Sequence, residues 1–514
     1  MHGSCIGRMA IRQGVRVLMA TVTLSGVLAA QEPVNSGTVL ELADVVRATL
    51  AANSDILLAI QETHGSRGEH LAAGAPFDPF MQADVGAARL RALDPVDTTV
   101  AQISQRFGFR RLLRNGLLVG SDMELTRRDL SRVAGVDTPN DLTSSVTLTT
   151  PLLRDRGGVE SRAPERAAAH EYDASVWGQR QAVAVRVLTA VVAYWDYLEA
   201  RLRLDVLLRA ERLASESAEQ TRALVAADER TAADLTQMHG NLASKRATRI
   251  AAEQNVVDAW QPLGLAMGLS PEAIIVRPAP STAFPELPAD PTARRPLATL
   301  LDEAYGRRPD LTAATALVRA AEARDAGARS ALAPRLDLVL GTGYRARAFG
   351  LGFSQYFEPL RAESPKHLDA SVRFVYEFPT ANSAARGHAL QRTAEIARAE
   401  IVVSDLRRRI AVGVTVAAEA LARGEAGMQA SDEAVRLLER SVLAEQRKFQ
   451  VGMSTLFDVI QAQDALTNAL LGRIASQHNY AVALVTLRYQ TGTLLEERGQ
   501  TVTIPPSALV TPPP

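Results

Sequence analysis

The chain has 514 residues, enough for two or more domain-sized units around a large core. Apolar residues make up 47%, which excludes a disordered chain. The 57 basic and 57 acidic side chains balance, so there is no basic excess of the kind a nucleic-acid binder needs.

Arg8, Arg12 and Arg16 precede an apolar run, Val17–Ala29, and small residues follow at Ala29 and Ala30. A charged start, a short apolar stretch and a small-residue cleavage site predict an export signal over residues 1–30. The only cysteine, Cys5, lies inside it, so the exported part has no thiol for a disulfide or a metal site. Cys5 also precedes the apolar run and is misplaced for a lipid anchor. Removing the signal takes away three Arg and no acid, leaving a net charge of −3. No later stretch reaches the roughly 18 consecutive apolar residues of a membrane-spanning helix. A closed β-barrel is still compatible with export, because alternating strands give a weak hydropathy signal.

Two halves then follow one plan. Asp228–Leu269 laid over Gly452–Thr493 without a gap gives eleven identities in 42 pairs, among them Thr231/Thr455, Asp234/Asp458 and Gly268/Gly492. Such self-similarity predicts an internal duplication. The first repeat covers residues 31–270 and the second 297–498. The proline-rich stretch 271–296 reads as a linker, and 499–514 as a disordered proline-rich tail.

In each half a helical stretch breaks before an acid, at Asp55 and at Asp310. Strand-like segments lie between Pro76 and Pro151, and again between Pro334 and Pro379. Val372, Phe374, Tyr376 and Phe378 alternate with polar residues; Leu336, Leu338 and Leu340 form a second set, Val146 and Leu148 a third. Met81, Ala83, Val85 and Ala87 form a fourth. One apolar and one polar face suits a barrel with a wet lumen, and equally a half-buried soluble sheet. Two strand pairs cannot close a barrel, since the smallest bacterial barrels need about eight strands. Copies of the chain must therefore pool them, with Arg89–Asn140 and Arg345–Lys366 as far-end loops. Asn115-Gly116, between Phe107–Leu113 and Leu117–Leu125, predicts an additional hairpin in the first half whose place is left open.

The runs from about Gly158 to Val225 and from about Ser383 to Gln450 are free of proline apart from Pro164. Each would span about 100 Å as a continuous helix. Ile396, Val403, Ile410 and Ala417, with Ala399, Leu406, Gly413 and Ala420 three residues on, form a heptad seam of small residues. Short breaks follow at Asp228-Glu229-Arg230-Thr231 and Val451-Gly452-Met453-Ser454-Thr455. Gly452 can end one helix and Ser454 or Thr455 can cap the next.

The motifs for zinc proteases, phosphate loops and serine nucleophiles are absent, and no two of the eight His are spaced as a helical metal pair. No catalytic residue, cofactor or metal site is predicted, and the chain reads as not an enzyme.

The segment Phe449-Gln450-Val451-Gly452-Met453-Ser454-Thr455-Leu456-Phe457-Asp458-Val459-Ile460-Gln461-Ala462-Gln463-Asp464-Ala465-Leu466, then Tyr480 and Leu487, resembles the TolC-like outer-membrane efflux proteins. Ala193-Tyr194-Trp195-Asp196, Arg308-Pro309-Asp310-Leu311 and Thr150-Pro151-Leu152-Leu153 carry the same resemblance. It implies an α+β fold, with a long coiled-coil helical barrel in the periplasm and a transmembrane β-barrel shared by a homotrimer, four strands from each chain. It implies a passive exit for small molecules or polypeptides through the outer-membrane lipid of a Gram-negative cell. A periplasmic adaptor and an inner-membrane pump of the RND or ABC type would be its partners, in efflux or type I secretion. Val451, Gly452, Met453, Ser454, Thr455, Asp228 and Thr231 would then meet the adaptor, and Asp458, Gln461 and Asp234 would form the pore gate. The second acid of the family's gate is Gln461 here, and the tyrosine that would bond Asp234 is Phe449. A soluble periplasmic coiled-coil scaffold or binding protein is the alternative.

Overall fold

The computed structural model describes residues 39–91, 99–129, 137–288, 295–361, 366–498 and 501–513. The expected export signal and Cys5 lie outside them. Helices α1 (Leu42–Ala52) and α2 (Ser54–Ala73) lead into strands β1 (Phe80–Arg91), β2 (Thr99–Leu112), β3 (Leu118–Asp129) and β4 (Pro139–Pro151). The long helix α3 (Val159–Ala226) and the shorter α4 (Ala232–Ala266) complete the first half. The second half has α5 (Leu297–Arg307), α6 (Pro309–Ser330), β5 (Arg335–Phe349), the short α7 (Phe353–Phe357) and β6 (Lys366–Glu377). It ends with α8 (Ser383–Gln450) and α9 (Leu456–Gln490), followed by a small hairpin, β7 (Glu496–Arg498) and β8 (Thr501–Thr503). Helices α3 and α8 have 68 residues each, α4 and α9 have 35 each. At 1.5 Å per residue the long pair reaches about 100 Å.

The sheet corrects the sequence reading at both expected loops. Most of Arg89–Asn140 is strand, and of Arg345–Lys366 the first five residues continue β5. The Asn115-Gly116 turn joins β2 to β3, and this hairpin is inserted between β1 and β4 in one antiparallel sheet of order β1-β2-β3-β4-β5-β6. Phe107 pairs with Ala83 on one side and Met123 on the other, and Leu125 pairs with Leu142. The chain therefore offers six strands, where the resemblance implied four. Register makes the sides consistent: Met81, Phe109 and Ser121 share one side, as do Leu340, Val372 and Leu148. That side is mostly apolar, and Met81, Val372 and Phe374 are at least 65% exposed on it. The other side carries ion pairs that cross between strands, Arg106–Glu124 at 2.9 Å, Arg347–Asp141 at 2.5 Å and Arg345–Asp369 at 2.5 Å.

Two cores hold the helices. In the first, Val45 of α1 and Val187, Tyr194, Trp195 and Tyr197 of α3 pack with Trp260 of α4. Burying side chains of this size stabilises by about 1.5–3 kcal/mol each. The polar ends of the rings fasten the linker between the halves. The Tyr194 hydroxyl accepts from the Thr282 amide at 2.9 Å, Tyr197 donates to the Pro278 carbonyl at 2.9 Å, and the Trp260 indole N–H donates to Ile274 at 2.6 Å. In the second core, Leu300 and Ala304 of α5 meet Ile410 and Val414 of α8 and Leu484 of α9.

The α8 seam is offset from the expected one. Ile410 and Ala417 are buried as the heptad requires, but Ala420 is exposed, and the buried set continues as Val414, Leu421, Met428, Val435 and Val442. These five stand seven residues apart, so the repeat holds, with its second position four residues after Ile410 and not three.

The expected disordered tail is also corrected. Ala508 and Leu509 are buried, and Arg488 of α9 donates to the Thr511 and Pro512 carbonyls at 2.9 and 2.7 Å. Proline-rich composition concealed a short apolar plug with a charged clamp. Among the described residues, no helix is long and apolar enough to cross a membrane.

Candidate functional site: the paired helical tips

The α3–α4 and α8–α9 turns end the long helices at the same end of the molecule, and both are built alike. Helix α8 closes with the Gly452 amide donating to the Phe449 carbonyl at 3.1 Å and the Met453 amide to Lys448 at 2.8 Å. Helix α3 closes with Asp228 donating to Val225 at 3.1 Å and Glu229 to Leu224 at 2.9 Å. Both are Schellman closures, which need one residue in the left-handed region. Gly452 takes it at φ 77° without a steric penalty; Asp228 takes it at φ 57° with a side chain in place.

A reciprocal cap then starts each following helix. The Asp458 amide donates to the Thr455 hydroxyl at 3.3 Å, while the Thr455 amide donates to the Asp458 carboxylate at 2.8 Å. Thr231 and Asp234 repeat the arrangement at 3.3 and 3.2 Å. These are capping boxes with Asp at the third helical position. The single Ser454 hydroxyl proton is shared between Glu445, at 2.9 Å, and Asp458, at 3.2 Å. Hydrogen bonds from the Thr455 side chain and amide hold the Asp458 carboxyl below its ordinary range despite some desolvation. The acid is therefore ionised at neutral pH. Gln461 lies one turn further along α9 and is exposed.

The surfaces of the two tips differ. The second exposes apolar side chains, Val451, Met453 and Phe457, with Met453 79% exposed. The first exposes Asp228, Glu229, Arg230 and Thr231. One contact joins them: the Arg230 guanidinium stands 5.0 Å over the Phe449 ring. Sequence reasoning noted that Phe449 lacks a hydroxyl but missed this partner; an Arg facing an aromatic across a turn was the available signal. A second link lies along the shafts, where Lys245 of α4 meets Asp464 of α9 at 2.6 Å. Among the described residues no group of acids, histidines or cysteines is arranged to hold a metal ion.

With these features in place, the fold is similar to that of solved outer-membrane channels. Residues 300–493 match the outer membrane efflux protein family. No curated protein matches the sequence. Among solved structures, the chain is similar to the CmeC outer membrane channel of Campylobacter jejuni, at 16% identity and a TM-score of 0.64, covering 88% of this chain and 85% of that one. The outer membrane protein VceC of Vibrio cholerae matches at 15% identity and 0.63, covering 88% and 96%. The open state of the MtrE outer membrane channel of Neisseria gonorrhoeae matches at 17% and 0.58, covering 88% of each.

Proposed function

We propose that the protein is the outer-membrane exit channel of a tripartite export system. It is a passive conduit, built as a homotrimer, whose sheets together span the outer membrane and whose long helices form a periplasmic tunnel. The observation that carries this reading is the joining of a one-sided amphipathic sheet to paired 68-residue helices in one chain. A soluble coiled-coil scaffold would not expose Met81, Val372 and Phe374 on one sheet side. The matched lengths of α3 with α8 and α4 with α9 support an ancestral duplication, with repeats at 31–270 and 297–498.

The tips are the working end. Val451, Gly452, Met453, Ser454 and Thr455, with Asp228 and Thr231, receive a periplasmic adaptor, and an inner-membrane pump supplies the energy. The apolar second tip gives the larger share of that contact and the charged first tip the smaller. Asp458, Gln461 and Asp234 surround the gate, where the ionised Asp458 of three copies would ring the opening with negative charge.

The test is reconstitution. The purified protein in a planar bilayer should conduct, and native mass should be that of three chains. Met453→Glu should weaken binding of the cognate adaptor about tenfold while leaving the trimer mass unchanged. A monomer that leaves bilayers silent would overturn the reading.

A further inference from the structure

Among the described residues the second half adds only β5 and β6 to this sheet, and the β2–β3 hairpin has no counterpart there. It could decorate the sheet, or it could enlarge it. Four observations favour enlargement. First, β2 is paired along its length on both sides, from Phe80↔Arg110 to Arg91↔Thr99 with β1 and from Leu112↔Leu118 to Ala101↔Asp129 with β3. Strand β3 continues into β4 from Leu118↔Thr149 to Arg127↔Asn140. Removing the hairpin would require β1 and β4 to find each other.

Second, the hairpin has the same two-sidedness as its neighbours. Phe107, Phe109, Val119, Met123 and Leu125 fall on the side of Met81 and Leu148, with Gln105 and Ser121 among them and Arg111 and Arg127 towards its two ends, while Arg106, Asp122 and Glu124 fall on the polar side. A hairpin lying in water outside a barrel has no use for a mostly apolar side; one lying in lipid requires it.

Third, the turn is anchored at the junction of sheet and helices. Arg114 holds Glu165 of α3 through both carboxylate oxygens, at 2.6 and 3.1 Å, and lies 5.0 Å over the Phe77 ring. The Gly158 backbone comes so close that a Cβ there would stand 2.2 Å from the Arg114 carbonyl oxygen.

Fourth, the edges permit closure. The outer edges of β1 and β6 run in opposite directions, have 12 residues each, and are unpaired among the described residues. The β6 of one copy can therefore join the β1 of the next in the same antiparallel sense, as a head-to-tail ring requires.

We propose that the membrane barrel of this channel has eighteen strands, six from each of three chains, and not the twelve that four strands per chain would give. This rests on the trimeric reading above. Barrel diameter grows roughly linearly with strand number, so the backbone cylinder is about 1.5 times as wide as a twelve-stranded one, with about 2.2 times the cross-section. The exit then admits bulkier hydrated cargo than four strands per chain would allow, past a wall bearing Arg106, Glu124, Asp141, Arg345, Arg347 and Asp369.

Electron cryo-microscopy of the full chain, purified in detergent as its native assembly, counts the strands. Eighteen strands, with β6 of each chain beside β1 of its neighbour, is the expected result. Twelve strands with the hairpin outside would overturn the proposal and leave the trimeric channel standing. An assembly with no shared barrel would overturn the trimeric reading itself. Disulfide trapping in the outer membrane gives a second measure. In a Cys5→Ser chain, the pairs Ala83→Cys with Phe107→Cys and Met123→Cys with Ser144→Cys should each cross-link nearly completely on oxidation. Failure of both in a chain that still assembles would show that β1 and β4 are not separated by the hairpin.

Discussion

The guanidinium of Arg230, in the α3–α4 turn, lies 5.0 Å above the ring of Phe449, in the last turn of α8. It ties the two tips of one chain together without a carboxylate. An exposed cation–π contact of this kind contributes about 0.5–1 kcal/mol. Arg230→Ala and Phe449→Leu should each raise the open probability of the isolated channel in a planar bilayer about two- to fivefold. The double variant should do no more than either alone, because both remove the same contact. Phe449→Tyr should behave as the parent does.

The left-handed residue of each tip makes a second prediction. Asp228 sits at φ 57° where its counterpart Gly452 sits at φ 77°. Asp228→Gly should steady the first tip, and Gly452→Ala should loosen the second by about 1 kcal/mol. Amide hydrogen exchange at Glu229 and Met453, whose N–H groups close the two Schellman turns, should slow in the first variant and quicken in the second.

The third concerns pH. His478 of α9 lies against Asp196 of α3 at 2.6 Å and Glu199 at 3.6 Å. Burial disfavours the imidazolium, but the hydrogen bond to Asp196 and the charges of Glu199 and Asp196 outweigh it and raise the pKa above the ordinary histidine value. The Phe284 ring meets the imidazole edge-on and adds no charge. The charged ring is thus bound more tightly in the folded state than in the unfolded chain. Its contribution is complete below about pH 6.5 and fades as pH rises through the higher folded pKa. Melting temperature should therefore fall from pH 6 to pH 8.5, and His478→Gln should remove that part of the slope.

Arg308 makes the fourth. It is 6% exposed at the bend between α5 and α6, holds Asp310 through both oxygens at 3.0 and 2.6 Å, and reaches Gln490 at 2.6 Å. Its charge also stands 5.1 Å over the Tyr489 ring. Arg308→Ala should cost about 3 kcal/mol by stranding Asp310. Arg308→Lys should recover less than half, since an ammonium cannot form the fork. Urea unfolding followed by tryptophan fluorescence measures both.

Some of this architecture was legible in the sequence because it is local. Two proline-sparse runs of 68 residues could only be long helices, and Thr-x-x-Asp after each break marked the caps. The role of the Asn115-Gly116 hairpin was not legible, because strand neighbours are chosen across sequence distance and its alternation fits either placement. The tail was misread for another reason: Ala508 and Leu509 are too few to stand out among prolines, yet they fill a gap beneath Arg488. At the tips, the sequence placed Asp458 and Asp234 at helix starts. That each acid turns back onto its own threonine required coordinates.

The two bare strand edges have a consequence for the cell. In the proposed trimer a single chain could not finish its own sheet, so maturation and partnership would become one event, and a lone copy would be an adhesive intermediate in need of escort. Each ring would also use every edge in series. One chain damaged at β1 or β6 would spoil its two sound companions, and such an allele would act dominantly.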